Sequence, residues 1–207
     1  MVSSNSKSGD STSPCSGCGF IHQCVCELMV KSNSELHVIL MLHPNEVNRT
    51  TNTGKLLLKA LPHCQTFVWD RVNPPQGFID YISAADVEPF IVFPCEDSID
   101  VSKVAKAKTS KKPVYIILDG TWQEAKKMLR KSSWLSQIPA VSLPDIDSPS
   151  NYTLRRNQEQ GHLCTLEVGC ELLNAEGESE QADQLRAFFS HYLDVFQADR
   201  SGHKLEK

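Results

Sequence analysis

No stretch of this 207-residue chain approaches the ~20 apolar residues that a bilayer-spanning helix needs, so no membrane is expected as a partner. The first residues also lack a basic segment leading into an apolar one, the pattern of a secretory signal. Reducing cytosol is therefore the expected compartment. No G-x-G-x-x-G follows a strand-like run, which argues against a Rossmann-type methyltransferase. No internal repeat is visible. The net charge is −4, so bulk charge carries no nucleic-acid signature.

What is present reads as one main α/β domain with a small appendage. The composition, 40% apolar and 22% charged, is that of an ordinary globular chain. The expected organisation is a disordered Ser-rich tail over 1–14, a metal-binding segment over 15–34, a main domain over 35–200 and a short tail over 201–207. Within the main domain, apolar runs alternate with helical patterns. Strands are expected at Leu36 to Leu42, Cys64 to Trp69, Phe90 to Phe93, Val114 to Leu118 and Ala140 to Leu143. Helices are expected at Lys55 to Leu61, from Thr121 through Lys131, at Thr165 to Leu173 and at Ser179 to Phe196. In the last of these, Ala182, Leu185, Phe188, Phe189, Tyr192 and Phe196 recur at helical spacing and form a core-facing stripe. Such alternation predicts a largely parallel sheet covered by helices.

Eight cysteines in a reducing compartment point to thiols or a metal rather than disulfides. Four are grouped as Cys15, Cys18, Cys24 and Cys26. Two thiolate pairs a short loop apart can close a tetrahedral Zn²⁺ site, and Gly17 and Gly19 permit the turns that aim sulfur inward. A closed four-thiolate site leaves no open position, so this zinc is expected to be structural. His22 replacing one thiolate is the competing ligand set. A redox pair is the other alternative, but no βαβ pattern follows directly. Cys64, Cys95, Cys164 and Cys170 are scattered and read as small buried hydrophobes.

The most chemical segment is Asp119-Gly-Thr-Trp122, directly after the run Val114 to Leu118. Ligands of open α/β sheets bind outside the carboxyl ends of strands, so Asp119 is offered to a crevice. Gly120 lets the backbone approach a ligand, and Thr121 can cap the following helix. An Asp-Gly turn with a capping Thr and a core Trp is the bland alternative. Charge is also unevenly spread. Nine Lys or Arg lie between Val101 and Lys131 against Asp119 and Glu124, and seven acids lie between Glu171 and Asp199 against Arg186. Lys126 with Arg130, and Lys127 with Lys131, are like-charged i,i+4 pairs on one helix. A basic face near Asp119 makes a phosphate backbone the natural partner, with a merely solvated helix face as the alternative.

Taken in order, these segments resemble the DTW-domain family, the tRNA-uridine aminocarboxypropyltransferases. Asp119-Gly-Thr-Trp122 is similar to the D-x-T-W motif. The cysteine cluster agrees, as do His43-Pro44-Asn45-Glu46 with Arg49 through Thr53-Gly54, and Tyr152 through Arg156 followed by Thr165 to Glu167. The match runs over nearly the whole chain from Cys15. The resemblance implies a SPOUT-like fold: a mainly parallel sheet whose trefoil knot holds S-adenosylmethionine, with the small zinc segment in front. It implies transfer of the cofactor's 3-amino-3-carboxypropyl group to the uracil ring nitrogen of a tRNA uridine. A SPOUT-type RNA methyltransferase and a non-catalytic zinc-dependent RNA-binding protein are the alternatives.

The same resemblance assigns the cofactor to the loops around Phe93-Pro94 and Leu118-Asp119-Gly120, with Thr121, Trp122 and Thr165. Trp122 stacks on a base or adenine, or else belongs to the core. Thr53 and Gly54 form a backbone nest, or else a helix N-cap. Arg155 suits a cofactor carboxylate and Arg156 a tRNA phosphate, with a surface role as the alternative. Arg49, Lys126, Lys127, Arg130 and Lys131 join Arg156 as expected RNA contacts. His43, ending a strand, reads as a hydrogen-bonded structural residue. Asp119 is the expected general base, and an orienting carboxylate is its rival role. A monomer is expected.

Overall fold

A computed structural model describes residues 13–107, 109–144 and 163–206. Six strands form one sheet: β1 (His37–Leu42), β2 (Cys64–Val68), β3 (Val87–Val92), β4 (Ile99–Asp100), β5 (Lys112–Asp119) and β6 (Ala140–Ser142). Their order is β2-β1-β5-β3-β6-β4, and each neighbouring pair is parallel. The helices are α1 (Gly54–Ala60), α2 (Gln76–Ile82), α3 (Val101–Lys106), α4 (Trp122–Lys131), α5 (Ser133–Ser136), α6 (Thr165–Ala175) and α7 (Ser179–Arg200). This is the mainly parallel α/β sheet that the alternating pattern predicts. No helix among the described residues is long and apolar enough to cross a membrane.

Both faces of the sheet are covered, which is why β1 and β5 read as continuous apolar runs instead of alternating ones. Val38, Leu40, Tyr115 and Ile117 pack on one side with Leu56 and Leu57 of α1, Leu166 of α6 and the aromatic stripe of α7. Ile39, Met41, Val114, Ile116 and Leu118 pack on the other side with Phe78 of α2, Ala125 and Met128 of α4 and Leu135 of α5. α6 comes so close to α1 that a Cβ on Gly169 would lie 2.5 Å from Leu57 Cδ1.

The elements differ from the sequence reading in instructive places. β3 begins at Val87 and runs through Pro89, which the sequence suggests as a boundary. A proline is tolerated there because Ile91 N donates to Pro139 O on the β6 side. The ring of Pro89, two residues earlier, therefore points to a level where β6 has not begun, since that pairing starts at Ile91. No ladder bond is lost. Strand β4 and helices α2, α3 and α5 are additions: β4 is two residues long, α2 buries only Phe78 and α5 only Leu135. The expected trefoil knot depends on residues 145–162, which lie outside the described residues, as do Tyr152, Arg155, Arg156 and the tail over 1–12.

Candidate active site and metal centre

Asp119 ends the central strand β5, between β1 and β3. The segment after β1 leads to α1 on one face, whereas β5 leads to α4 on the other. Neighbouring strands whose connections leave in opposite directions open a crevice at their carboxyl ends, the usual ligand site of such sheets. Asp119 O accepts from His43 N at 2.8 Å, which locks the ends of β5 and β1 together.

The side chain of Asp119 follows Tyr115 and Ile117 toward the α1/α6 face, and the residue is only 1% exposed. Asn52 Nδ2 donates to its Oδ2 at 2.7 Å, and the Thr165 hydroxyl donates to its Oδ1 at 2.7 Å. Asn52 Nδ2 also reaches Glu46 Oε2 at 3.1 Å, and Arg49 pairs with the other oxygen of Glu46. Glu46 and Asn52 are themselves buried. A loop carrying one acid, Glu46, and the Asn52 amide thus folds inward to meet the strand end. Buried polar groups of this kind must be satisfied mutually, which makes their geometry well defined. Asn52 Oδ1 accepts from Lys55 N at 3.2 Å and caps α1. The sequence suggests Thr53 for that cap. Its hydroxyl instead accepts from Leu166 N at 3.3 Å, tying α1 to α6, while the backbone places Thr53 at the N-cap position.

Gly54 is required here for space. A Cβ at this position would lie 2.6 Å from Asp119 Oδ2 and 3.1 Å from Asn52 Oδ1. Both atoms are fixed by their bonds, so neither can retreat. Gly54→Ala is expected to cost about 1–3 kcal/mol, the usual range for overpacking. That corresponds to a Tm lower by several degrees in a domain of this size, about 2–4 °C per kcal/mol. Thermal unfolding followed by circular dichroism measures it, and an unchanged Tm refutes the close approach.

The other wall is built at the start of α4. Thr121 Oγ1 accepts from Glu124 N at 3.2 Å, and Glu124 Oε2 accepts from Thr121 N at 2.7 Å, a complete capping box. Glu124 Oε1 accepts from Asn45 Nδ2 at 2.7 Å, joining the turn after β1 to this helix. Burial acts to raise the Glu124 pKa. The Thr121 N–H, the Asn45 amide, the Thr121 hydroxyl and the His43 ring outweigh it and hold the carboxyl down at about 2. Trp122 stacks on Phe93 with centroids 4.9 Å apart, and Lys126 Nζ lies 5.4 Å from the Trp122 ring centroid. The ends of β3 and β5 therefore share an aromatic pair beside the Asp119 turn.

The four N-terminal cysteines converge. Cys15 Sγ lies 3.5 Å from Cys24 Sγ and 3.7 Å from Cys26 Sγ, and Cys18 Sγ lies 3.9 Å from Cys24 Sγ. All four sulfurs fall within 4.8 Å of one another. With Zn–S of about 2.3 Å, a tetrahedron has S···S edges of about 3.8 Å. The set therefore fits Zn²⁺. Cys26 N donates to Cys24 Sγ at 3.4 Å, and a Cβ on Gly17 would strike Cys26 Sγ at 2.5 Å. Gly19 takes φ 80°, the left-handed region that glycine reaches without strain. Phe20 anchors the segment on α7, with ring centroids 5.1 Å from Tyr192 and 6.0 Å from Phe196. Asp199 Oδ1 accepts from Ile21 N and His22 N at 2.8 and 2.7 Å.

The DTW domain profile matches residues 12–197. The chain belongs to the DTW-domain family. Curated relatives point the same way. One is tRNA-uridine aminocarboxypropyltransferase 2 of Drosophila melanogaster, 24% identical over 139 residues that cover 66% of this chain and 54% of that protein. Another is tRNA-uridine aminocarboxypropyltransferase 2 of Mus musculus, 24% identical over 140 residues that cover 67% and 47%. The chain spans about half the length of these relatives. No solved structure matches it.

Within this DTW domain the residues singled out from sequence fall into separate groups. Asp119, Thr53, Gly54 and Thr165 meet in one buried cluster. Phe93 and Trp122 meet in the aromatic pair, with exposed Pro94 beside it, while Leu118 is buried in the core on the α4 side. Gly120 and Thr121 shape the turn between those groups: a Cβ on Gly120 would come 3.1 Å from Glu124 Cβ. Arg49 is tied to Glu46. Lys126, Lys127, Arg130 and Lys131 are exposed along α4. The sequence reading did not select Asn52 and Glu46 as site residues. Their only signal was membership of the His43-to-Gly54 motif, because a polar residue that turns inward from a loop leaves no periodicity.

Proposed function

We propose that this chain is a tRNA-uridine aminocarboxypropyltransferase that uses S-adenosylmethionine and forms 3-(3-amino-3-carboxypropyl)uridine. The observation that carries the reading is the DTW domain match itself, whose span contains Asp119 and every partner described around it. The curated relatives add the reaction class. The local chemistry fits the cofactor: a carboxylate at the strand end complements a cationic ligand, the Thr165 hydroxyl orients it, and the Phe93–Trp122 pair offers an aromatic surface at the turn that follows the strand.

When bound, S-adenosylmethionine supplies a carbon activated by its sulfonium. The uracil N3–C bond forms as the C–S bond breaks, methylthioadenosine leaves, and the N3 proton must be taken up. Asp119 is the proposed acceptor of that proton. An unperturbed Asp has a pKa of ~3.9, far below a uracil imide, and each unit of mismatch corresponds to ~1.36 kcal/mol. Proton removal therefore accompanies bond formation and does not precede it. Asn52 and Thr165 hold the carboxylate in one orientation for this step, and Thr53 with Gly54 brings α1 against it. The exposed cations of α4, Lys126, Lys127, Arg130 and Lys131, are proposed to touch tRNA phosphates.

The deciding experiment incubates the purified protein with S-adenosylmethionine and tRNA lacking the modification, then identifies nucleosides by mass spectrometry. Aminocarboxypropyl-uridine is the expected product. A methyl group in its place assigns the chain to the methyltransferases, and no adduct refutes the activity.

A further inference from the structure

A cavity of ≈ 940 Å³ lies between the cysteine segment, α1 and the end of α7. It is separate from the aromatic pair of Phe93 and Trp122, and it reaches Asn52, whose amide is bonded to Asp119. Four cations line it from three parts of the chain: Lys31 before β1, Lys55 and Lys59 on α1, and Arg200 at the end of α7. All four side chains are exposed, and among the described residues none forms an ion pair with a carboxylate. The acid on the wall, Asp199, spends one oxygen on Ile21 N and His22 N.

Lys55 and Lys59 are an i,i+4 pair of like charge, an arrangement that mildly destabilises its own helix. Each ammonium is aimed by one bond to a backbone carbonyl, Lys55 to Arg49 O at 3.2 Å and Lys59 to Gly17 O at 2.6 Å. An ammonium carries three donors, so both keep N–H groups for an anion. Arg200 lies 6.0 Å from the Phe196 ring. Phe20, Val25 and Met29 add apolar surface to the lining. The volume is at the upper end for small-ligand clefts, about 300–1,000 Å³, and so suits more than one unit of a polymer. S-adenosylmethionine, itself a sulfonium cation, is a poor match for four like charges.

We propose that this groove holds a single-stranded stretch of the tRNA, with Lys31, Lys55, Lys59 and Arg200 on its phosphates, and leads that strand to Asn52 and Asp119. The side chain of Asp119 faces α1 and α6, the same side of the sheet as the groove, whereas α4 lies on the other side. A strand entering along α1 therefore arrives on the side of the sheet that carries the carboxylate, with Asn52 between the groove and Asp119. The cysteine segment is then a wall of the RNA site as well as a local brace. This inference rests on the tRNA-modifying reading above.

The test compares wild type with Lys31→Ala/Arg200→Ala, leaving Lys55 and Lys59 in place because they also hold the Arg49 and Gly17 carbonyls. tRNA affinity is measured as a function of salt, S-adenosylmethionine affinity by calorimetry, and product by mass spectrometry. The slope of log K against log salt is expected to fall by about 1.4 for two single-strand phosphate contacts. Cofactor affinity and melting temperature are expected to stay at wild-type values. Oligouridine is expected to compete with tRNA for the wild type and much less for the variant. An unchanged slope and affinity overturns the groove while wild-type product formation keeps the reaction. Lost slope in a protein whose wild type makes no aminocarboxypropyl-uridine keeps the groove and overturns the reaction. Displacement of the tRNA by an acidic peptide but not by oligouridine overturns the groove in favour of a protein partner.

Discussion

Asp119→Asn is expected to lower aminocarboxypropyl transfer by ~10²–10⁴-fold, the range for loss of a general base, while tRNA affinity stays close to wild type. The substitution suits its surroundings. Asn52 is fixed by its bond from Lys55 N and must keep donating to the carbonyl oxygen of the new side chain. The new amide then faces Thr165, whose hydroxyl can rotate to accept. A stability cost of ~1 kcal/mol follows from the weakened bonds, so lost activity cannot be blamed on unfolding. The rival role gives a different pattern. A carboxylate that holds the cofactor's ammonium loses affinity for S-adenosylmethionine and S-adenosylhomocysteine in parallel. Calorimetry with both ligands, beside single-turnover rates, separates the two. Turnover near the wild-type rate returns Asp119 to a structural anchor between β5, α1 and α6.

The strands were legible because a sheet covered on both faces demands unbroken apolar runs, and Val38 to Leu42 and Val114 to Leu118 supply them. Their spatial order was not legible. β5 inserts between β1 and β3, a choice made by packing across the whole sheet and not by any local pattern. The capping role of Thr121 could be read because Glu124 follows at the required spacing. The cap of α1 could not, because Thr53 and Asn52 are both good capping residues and only the position of Leu166 decides between them. Asp119 was conspicuous at the end of its strand. Its partners Asn52 and Thr165 lie 67 and 46 residues away in sequence, so the cluster exists only after folding. The groove beside the cysteine segment is hidden for the same reason: Lys31, the Lys55–Lys59 pair of α1 and Arg200 are far apart in the chain.

Removing one thiolate, by Cys18→Ser, is expected to abolish stoichiometric zinc and open the segment around the metal, while the α/β core persists. The reason lies in the charge that the cluster must carry. Without a cation, the Cys18 and Gly17 backbone N–H groups draw the Cys15 thiol down to about 6, whereas burial and the Cys24 and Cys15 thiols push Cys26 up to about 12. Four thiolates within 4.8 Å of one another are therefore held only by a divalent ion. Structural zinc in small peptide sites contributes about 10–16 kcal/mol near neutral pH, and acid weakens it because the ligands bind protons instead. The anchor of Phe20 on Tyr192 and the bonds of Asp199 to Ile21 N and His22 N do not involve sulfur. The segment should thus remain pinned at its middle while the loops at 15–18 and 24–26 separate. Elemental analysis is expected to give one zinc per wild-type chain and far less in the variant. Hydrogen exchange should then lose protection at Gly19 N, which donates to Cys15 O, but not at the β1 and β5 amides. Wild-type protein purified without chelator and free of zinc removes the claim, and the converging sulfurs become a cluster of packed thiols.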